Sequence, residues 1–260
     1  MVSGAGPPSG PEPALVSAAA MVFVADPAAP VLTQGDAHHL FDVLRLRPGE
    51  VVIAGDGCGA WSPCRVVPAL GARSGAQGWR HLDPASLLAP DGPVAHQRKA
   101  APEITVAFAP TKGDRPEWVT QKLTELGVDR IVPLRTSRSV VHWEGERGAK
   151  AVARLRRVAR EAAAQCRRPR LPEVAGVGRL EDLARRNGAG FALAEAGGDP
   201  PTLDRPVLAV GPEGGWDPDE LAAFGPGIGL GATVLRAETA AVVAGALLCG
   251  LRSGVVLPLA

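Results

Sequence analysis

The chain is 260 residues long, 46% hydrophobic and 21% charged, with a formal net charge of +1, which fits a folded protein of one or two domains and excludes a polycation that coats nucleic acid through bulk charge. No apolar run reaches the roughly 18 residues of a membrane span, since the longest, Ala240 to Leu251, is too short, and Met1 to Ala20 lacks the Lys or Arg of a secretory leader. A cytoplasmic protein without a membrane partner is expected, and Cys58, Cys64, Cys166 and Cys249, which form no Cys-x-x-Cys pair, read as reduced thiols.

Residues 1–18, rich in Gly and Pro, read as a structureless lead-in. From residue 19 to 88, short strand-like runs (Met21–Ala25, Val51–Ala54, Cys64–Val67) alternate with turns such as Gly55-Asp-Gly, and one short helix is expected at Asp36–Arg45. That is a small β-rich domain. Residues 89–102 mix Pro, Gly and charge and read as a linker or edge loop.

From 103 to 260 apolar strands alternate with helices, the pattern of an α/β domain on a parallel sheet. Ile104–Ala109 reads as a strand and Pro116–Leu126 as a helix with Pro near its start and Gly127 at its stop. Ile131–Leu134 is the next strand. Ala151–Cys166 has Val152, Leu155, Val158, Ala159 and Ala162 at helical spacing and a basic remainder, which with the segment beyond it gathers Arg154, Arg156, Arg157, Arg160, Arg167, Arg168 and Arg170. As a cluster they suit RNA phosphates, although for any single Arg a solvated face is the simpler account. Phe191–Glu195, Val207–Val210 and Thr233–Leu235 read as buried strands, each running into a Gly-rich or polar loop, and ligands of such sheets gather at the carboxyl ends of strands.

Two of those loops carry the chemistry. Gly211-Pro-Glu-Gly-Gly215 gives a tight turn whose backbone a ligand can approach, and Asp217-Pro-Asp-Glu220 behind it is a capping box that starts a helix. Leu235-Arg-Ala-Glu-Thr-Ala240 leads into an apolar helix that Glu238 and Thr239 are placed to cap, while Arg236, between an expected buried strand and a buried helix, calls for a specific partner. Each loop alone is also explained as an ordinary turn or cap. Gly227-Ile-Gly-Leu-Gly looks like a dinucleotide fingerprint but follows Gly225-Pro226 rather than a strand.

Taken in order, these segments resemble the bacterial 16S rRNA uridine-N3 methyltransferases of the knotted SPOUT superfamily. The likeness rests on Gly211-Pro-Glu-Gly-Gly, Glu220, Leu230-Gly231 and Leu235-Arg-Ala-Glu-Thr-Ala. It extends upstream to Lys112-Gly-Asp, Gln121-Lys122, Thr124-Glu-Leu-Gly-Val128, Arg138-Ser-Val-Val, Glu161-Ala162 with Gln165, Arg167 and Arg168, His38-His39-Leu40 and Val43-Leu44-Arg45, so it covers about Met21 to Gly250. The family's Arg at the first strand is absent, where this chain reads Met21-Val-Phe-Val.

The resemblance implies an N-terminal PUA-like β-barrel that binds RNA, a C-terminal SPOUT α/β domain with a deep trefoil knot, and a homodimer that acts on 16S rRNA or the small ribosomal subunit. It implies S-adenosylmethionine as cofactor, held by loops 193–198, 210–215 and 230–240, with Leu193, Val210, Gly211, Pro212, Gly214, Gly215, Leu230, Gly231, Leu235, Thr239 and Ala240 in contact. RNA contacts are expected from His39, Arg45, Lys112, Lys122, Arg138, Arg160, Arg167 and Arg168. A sulfonium methyl is already electrophilic, so the enzyme must align the acceptor and remove the N3 proton, with no metal required. Glu213 and Glu238 are the candidate acceptors, each with a structural role as the stronger competing account, and Arg236 is placed to stabilise a uracil carbonyl. A related ribose 2′-O-methyltransferase is disfavoured because Asn187, the only Asn, lacks the following Arg of that branch. An inactive RNA-binding assembly protein is the remaining alternative, and donor binding separates it.

Overall fold

In the computed structural model, residues 12–67, 78–224 and 227–257 are described. Their contacts divide the chain into two units, one of residues 12–99 with 163–171 and the other of residues 100–162 with 172–257.

The first unit is built on a five-stranded mixed sheet. β1 (Ala20–Phe23) pairs in parallel with β2 (Val51–Gly55), which pairs antiparallel with β3 (Ala60–Val66). β4 (Leu88–Pro90) and β5 (Ala95–His96) both pair with β3, so the segment read as a linker or edge loop supplies two edge strands. One face packs Val22, Val52, Ala54, Cys64 and Val66 on Leu40, Phe41 and Trp79. The other packs Met21, Phe23, Ile53 and Trp61 on Leu15 and Ala18, so period-2 alternation buries both sides. That second core corrects the expectation of a structureless lead-in. Residues 1–11 of it lie outside the described residues, but Pro13–Ser17 form a short helix, α1, because Leu15 and Ala18 find an apolar seat.

The helix expected at Asp36–Arg45 is α2 (Gln34–His38), capped by the Thr33 side chain accepting from the Asp36 N–H, followed by a π turn over His39–Val43. The wide turn places Asp42 where it accepts from Trp79 Nε1 at 3.0 Å and Arg80 Nη2 at 3.0 Å and lies 2.7 Å from His38 Nδ1. These partners, Trp79 first, hold its carboxyl down at about 2, against an ordinary 3.8, with partial burial opposing them. Neither His38 nor His39 is a core residue; both are exposed.

The second unit carries a six-stranded parallel sheet in the order β10-β11-β6-β7-β8, with β9 on β7. β6 (Thr105–Phe108) leads to α3 (Arg115–Leu126), β7 (Arg130–Arg135), α4 (Gly145–Gln165), β8 (Glu173–Val174), β9 (Gly178–Arg179) and α5 (Leu180–Asn187). β10 (Phe191–Asp199), β11 (Val207–Val210), α6 (Pro218–Phe224) and α7 (Ala237–Ser253) follow. Gly127 ends α3 at φ 95° as its sequence position predicts. The strand order reverses between β6 and β11, which places the crevice of a doubly wound sheet at the carboxyl ends of those strands.

Helix α7 is apolar nearly all round, as suits an element packed on several sides. At Gly245 a side-chain carbon would come within 2.6 Å of Leu123 Cδ2, so the missing side chain lets α3 lie close. Arg252 fastens the end of α7 by an ion pair to Asp129 and by donating to the carbonyls of Gly127 at 2.8 Å and Pro102 at 3.0 Å.

The strand expected at Thr233–Leu235 does not form. Ile228 takes the bridges to Ala194 and Asp199 of β10 instead, and residues 231–236 run as an irregular loop in which Val234 is 91% exposed. The β-branched pair there has no open strand to pair with. Of the Gly-x-Gly lookalike, residues 227–231 are described and its preceding Gly225-Pro226 lie outside the described residues.

Candidate active site

The middle of β10 and the carboxyl end of β11 open on a cavity of about 500 Å³. Its walls come from three stretches: Ala194–Ala196 in the middle of β10, residues of 210–216 (Gly214 apart) at and after the end of β11, and residues of 230–240 leading into α7. Of the residues expected to hold the cofactor, Val210, Gly211, Pro212, Gly215, Leu230, Gly231, Leu235 and Ala240 line it. Leu193, Gly214 and Thr239 lie outside the lining: Leu193 is buried in β10, the Gly214 carbonyl accepts from Arg138, and Thr239 is in the first turn of α7.

Local structure explains why the Gly211–Gly215 turn holds its shape. The buried Trp216 donates from Nε1 to the Ala194 carbonyl at 2.8 Å, so it ties the loop after β11 to the middle of β10. Its ring lies against Gly211, where a side-chain carbon would sit 3.1–3.4 Å from three ring atoms. On the far side the capping box forms as its sequence predicts: Asp217 N–H donates to Glu220 Oε2 at 2.9 Å, and Asp219 N–H to Asp217 Oδ1 at 3.1 Å. Glu220 Oε1 also accepts from the Ser137 N–H at 2.9 Å, and Arg138 reaches the Gly214 carbonyl at 3.2 Å and Asp217 at 3.5 Å. The loop after β7 thus braces the glycine turn. Arg138, expected on RNA, is engaged here in positioning that turn.

Charged groups stand at the cavity and near it. Arg236 and Glu213 line it. Arg236 is the N-cap of α7: its carbonyl accepts from the Ala240 N–H at 2.8 Å, while its side chain makes no cap hydrogen bond and no other hydrogen bond or ion pair among the described residues. The expected capping by Glu238 and Thr239 is therefore not what the helix uses, because the chain reaches α7 from an irregular loop with Arg236 at the cap position. Glu238 instead sits in the first turn, where the helix dipole favours a carboxylate, and lies 3.6 Å from Arg115. Arg115 also lies 3.5 Å from Glu213. Neither Arg115 nor Trp216 nor Glu195, which also lines the cavity, was singled out by the sequence motifs; the adjacency of Arg115 to Lys112-Gly-Asp is the one signal that pointed near it.

Several members of the basic cluster have partners within the protein. Arg154 pairs with Glu117 at 2.9 Å, Arg156 donates to the Val174 carbonyl at 3.0 Å, Arg157 lies 3.9 Å from Glu161, and Arg170 donates to the Gln97 carbonyl at 3.0 Å. Arg167 is half-buried in a left-handed backbone conformation at φ 55°. Lys122 is held by both carboxylate oxygens of Glu125. His39, Arg45, Lys112 and Arg160 are exposed, and Arg168 is half-buried. Among the described residues no group of three His, Cys, Asp or Glu is arranged to hold a metal ion, and no helix is long and apolar enough to cross a membrane.

Residues 98–249 match the family model described as an RNA methyltransferase domain, and residues 32–69 match an RNA methyltransferase PUA domain. The chain is 35% identical over 247 residues to a Mycobacterium bovis protein named ribosomal RNA small subunit methyltransferase E, across 86% of this chain and 89% of that one. A Bacillus subtilis protein of the same name is 27% identical over 233 residues, across 82% and 86% of the two chains. The crystal structure of a protein of that name from Neisseria gonorrhoeae, bound to S-adenosyl methionine, is 25% identical, with a TM-score of 0.69 and coverage of 89% and 97%.

Proposed function

The chain belongs to the ribosomal RNA small subunit methyltransferase E family, and from that premise we propose that it transfers a methyl group from S-adenosylmethionine to N3 of a uridine in 16S rRNA. The observation that carries the reading is the cavity beside the middle of β10 and the carboxyl end of β11, lined from the three segments that the family resemblance implies for the donor. Its volume, about 500 Å³, falls in the roughly 300–1,000 Å³ range of small-molecule sites. Val210, Leu230, Leu235 and Ala240 give it apolar walls, and the Gly211–Gly215 turn exposes backbone groups for an adenine edge.

S-adenosylmethionine supplies, when bound, a sulfonium methyl that needs no further activation. The chain's own residues must then hold the uracil in line and dispose of its N3 proton. Glu213, which lines the cavity beside Glu195, and Glu238, on α7 outside the lining, are the candidate acceptors, and Arg236, whose guanidinium has no internal partner among the described residues, is placed to meet negative charge growing on a uracil carbonyl. His39, Arg45, Lys112 and Arg160 are the exposed members of the RNA set, with Arg167, Arg168, Lys122 and Arg138 contributing where their internal partners yield.

The same reading takes the first unit, residues 12–99 with 163–171, as a PUA-like RNA-binding barrel and the second as a knotted SPOUT domain. It places the protein in the cytoplasm, on 16S rRNA or the small subunit, as a homodimer. Half-exposed Val242, Val243, Ala246 and Leu247 on α7, an apolar helix face, support that dimer. Incubation of the protein with small-subunit rRNA and isotopically labelled S-adenosylmethionine, followed by nucleoside mass spectrometry, is expected to yield N3-methyluridine. Label in a ribose 2′-O-methyl nucleoside, or none, refutes the assignment.

A further inference from the structure

Three charged side chains line the cavity: Glu195, Glu213 and Arg236. Glu213 is met by Arg115 at 3.5 Å. The side chain of Glu195 has no hydrogen bond or ion pair among the described residues, and Arg236 is not within ion-pair distance of it. Its setting is nonetheless a built one. Residues 195–198 lie between Ala194 and Asp199, which both bridge Ile228, so this stretch of β10 stands out from its ladder. At the buried Gly227, a side-chain carbon would collide with Glu195 Cβ and come within 2.8 Å of Glu195 Oε2. At Gly229 a carbon would come within 2.7 Å of the Gly198 carbonyl oxygen.

The Gly227-Ile-Gly-Leu-Gly run therefore has a use that its likeness to a dinucleotide fingerprint does not suggest. Its first glycine clears the surface on which the Glu195 side chain lies, its second lets the chain pass close to Gly198, and Leu230 and Gly231 go on to line the same cavity. A solvated carboxylate needs no such clearance. Polar groups drawn in from solvent find hydrogen-bond partners, and for this half-buried carboxylate at a cavity wall the ligand is the partner left.

We propose that Glu195 holds the ribose of S-adenosylmethionine, its two carboxylate oxygens accepting from the 2′- and 3′-hydroxyls; this rests on the donor cavity described above. The adenine amino group, the ribose hydroxyls and the α-ammonium are the groups of the donor that can donate to a carboxylate. The adenine edge belongs to the backbone of the Gly211–Gly215 turn in the same reading. The α-ammonium carries a carboxylate on the same carbon, which Glu195 would repel with no cation paired to it in compensation. The hydroxyl pair is uncharged, presents two donors side by side and matches the two acceptor oxygens of one carboxylate. Acidic side chains take ribose hydroxyls in this way in other nucleotide-binding α/β sheets. Ribose stands between the adenine and the sulfonium, so fixing it also fixes where the methyl carbon points.

Calorimetry on the intact protein compares wild type with Glu195→Ala and Glu195→Gln. The ligands are S-adenosylhomocysteine, 5′-methylthioadenosine, which lacks the amino-acid end, and 5′-methylthioadenosine without its 2′- or its 3′-hydroxyl. Glu195→Ala is expected to bind S-adenosylhomocysteine about 10- to 100-fold more weakly, the worth of hydrogen bonds to a charged group. Binding of 5′-methylthioadenosine should weaken by the same factor to within about threefold. Removing either hydroxyl should weaken binding to wild type about fivefold or more, and to Glu195→Ala less than about twofold, because the acceptor is already gone. Glu195→Gln keeps one acceptor oxygen and should fall between the two. Both variants should melt within about 2 °C of wild type, since no internal bond is lost. Should Glu195→Ala unfold, the hydroxyl comparison is made in Glu195→Gln, where the penalty for one of the two hydroxyls should shrink to less than about twofold.

Binding of S-adenosylhomocysteine by Glu195→Ala within about threefold of wild type overturns the inference. So does a loss that 5′-methylthioadenosine does not share, which assigns Glu195 to the α-ammonium, or an equal penalty for each missing hydroxyl in variant and wild type. Wild-type protein that binds neither S-adenosylmethionine nor S-adenosylhomocysteine overturns the donor reading itself, and that is seen before any variant is compared.

Discussion

Trp216→Phe removes one hydrogen bond and part of one ring from beneath the cavity. The Nε1 donor to the Ala194 carbonyl is lost, leaving that acceptor short of a partner, at about 1–2 kcal/mol. The smaller ring withdraws some apolar contact from Gly211, worth about 0.5–1 kcal/mol. The two atoms so released belong to two different walls of the cavity, Ala194 and Gly211. If the whole sum, about 1.5–3 kcal/mol, is the energy that holds those walls together for binding, affinity for S-adenosylhomocysteine falls by about 10- to 150-fold. Thermal unfolding should shift down by roughly 2–4 °C per kcal/mol for a chain of this size. Trp216→Ala, which also opens a cavity, should cost about 3–5 kcal/mol. Calorimetry with S-adenosylhomocysteine and a thermal melt measure both effects. Unchanged affinity in Trp216→Phe and Trp216→Ala alike would refute the idea that this ring organises the donor cavity.

Arg236→Ala should lower turnover by about 10²–10³ while leaving S-adenosylhomocysteine affinity nearly intact; calorimetry showing lost binding would move Arg236 to the donor instead. Glu220→Ala strips the acceptor from the Ser137 and Asp217 N–H groups, which at this half-exposed site should cost about 1–2 kcal/mol and weaken donor binding with it; a melt and a titration check both. Asp42 is ionised more readily in the folded protein than in the unfolded chain, about 2 against 3.8, so its stabilisation is present above 3.8 and fades as pH falls from there toward 2. Asp42→Asn should flatten that part of the acid unfolding profile, and an unaltered profile between those values counts against the cluster with His38, Trp79 and Arg80.

Much of the fold was legible because it obeys local rules. β11 occupies Val207–Val210 as read, α3 stops at Gly127, and Asp217 with Glu220 caps α6, since runs of buried residues, positive-φ glycines and capping boxes are decided within a few residues. What sequence pattern missed depends on distant partners. Thr233-Val-Leu has strand-like residues but no open strand beside it, because Ile228 makes the bridges to β10. Leu15 and Ala18 turn part of a Pro-rich lead-in into a helix only because Met21, Phe23 and Trp61 offer them a seat. The basic helix meets partners that no local pattern supplies, since Glu117 and the Val174 carbonyl reach Arg154 and Arg156 from other elements. Arg115 was invisible for the same reason: Glu213 and Glu238 are brought to it by the sheet and by α7, far along the chain.

The most direct test of the donor site is calorimetric titration of the intact protein with S-adenosylmethionine, with Gly211→Val alongside. The larger side chain must displace the Trp216 ring, which a carbon at this position already approaches to 3.1 Å. Saturable one-site binding by wild type, weakened at least about tenfold in Gly211→Val, about 1.4 kcal/mol, is the predicted result. Absence of binding by the wild-type protein, or equal binding by a folded Gly211→Val variant, would contradict the account.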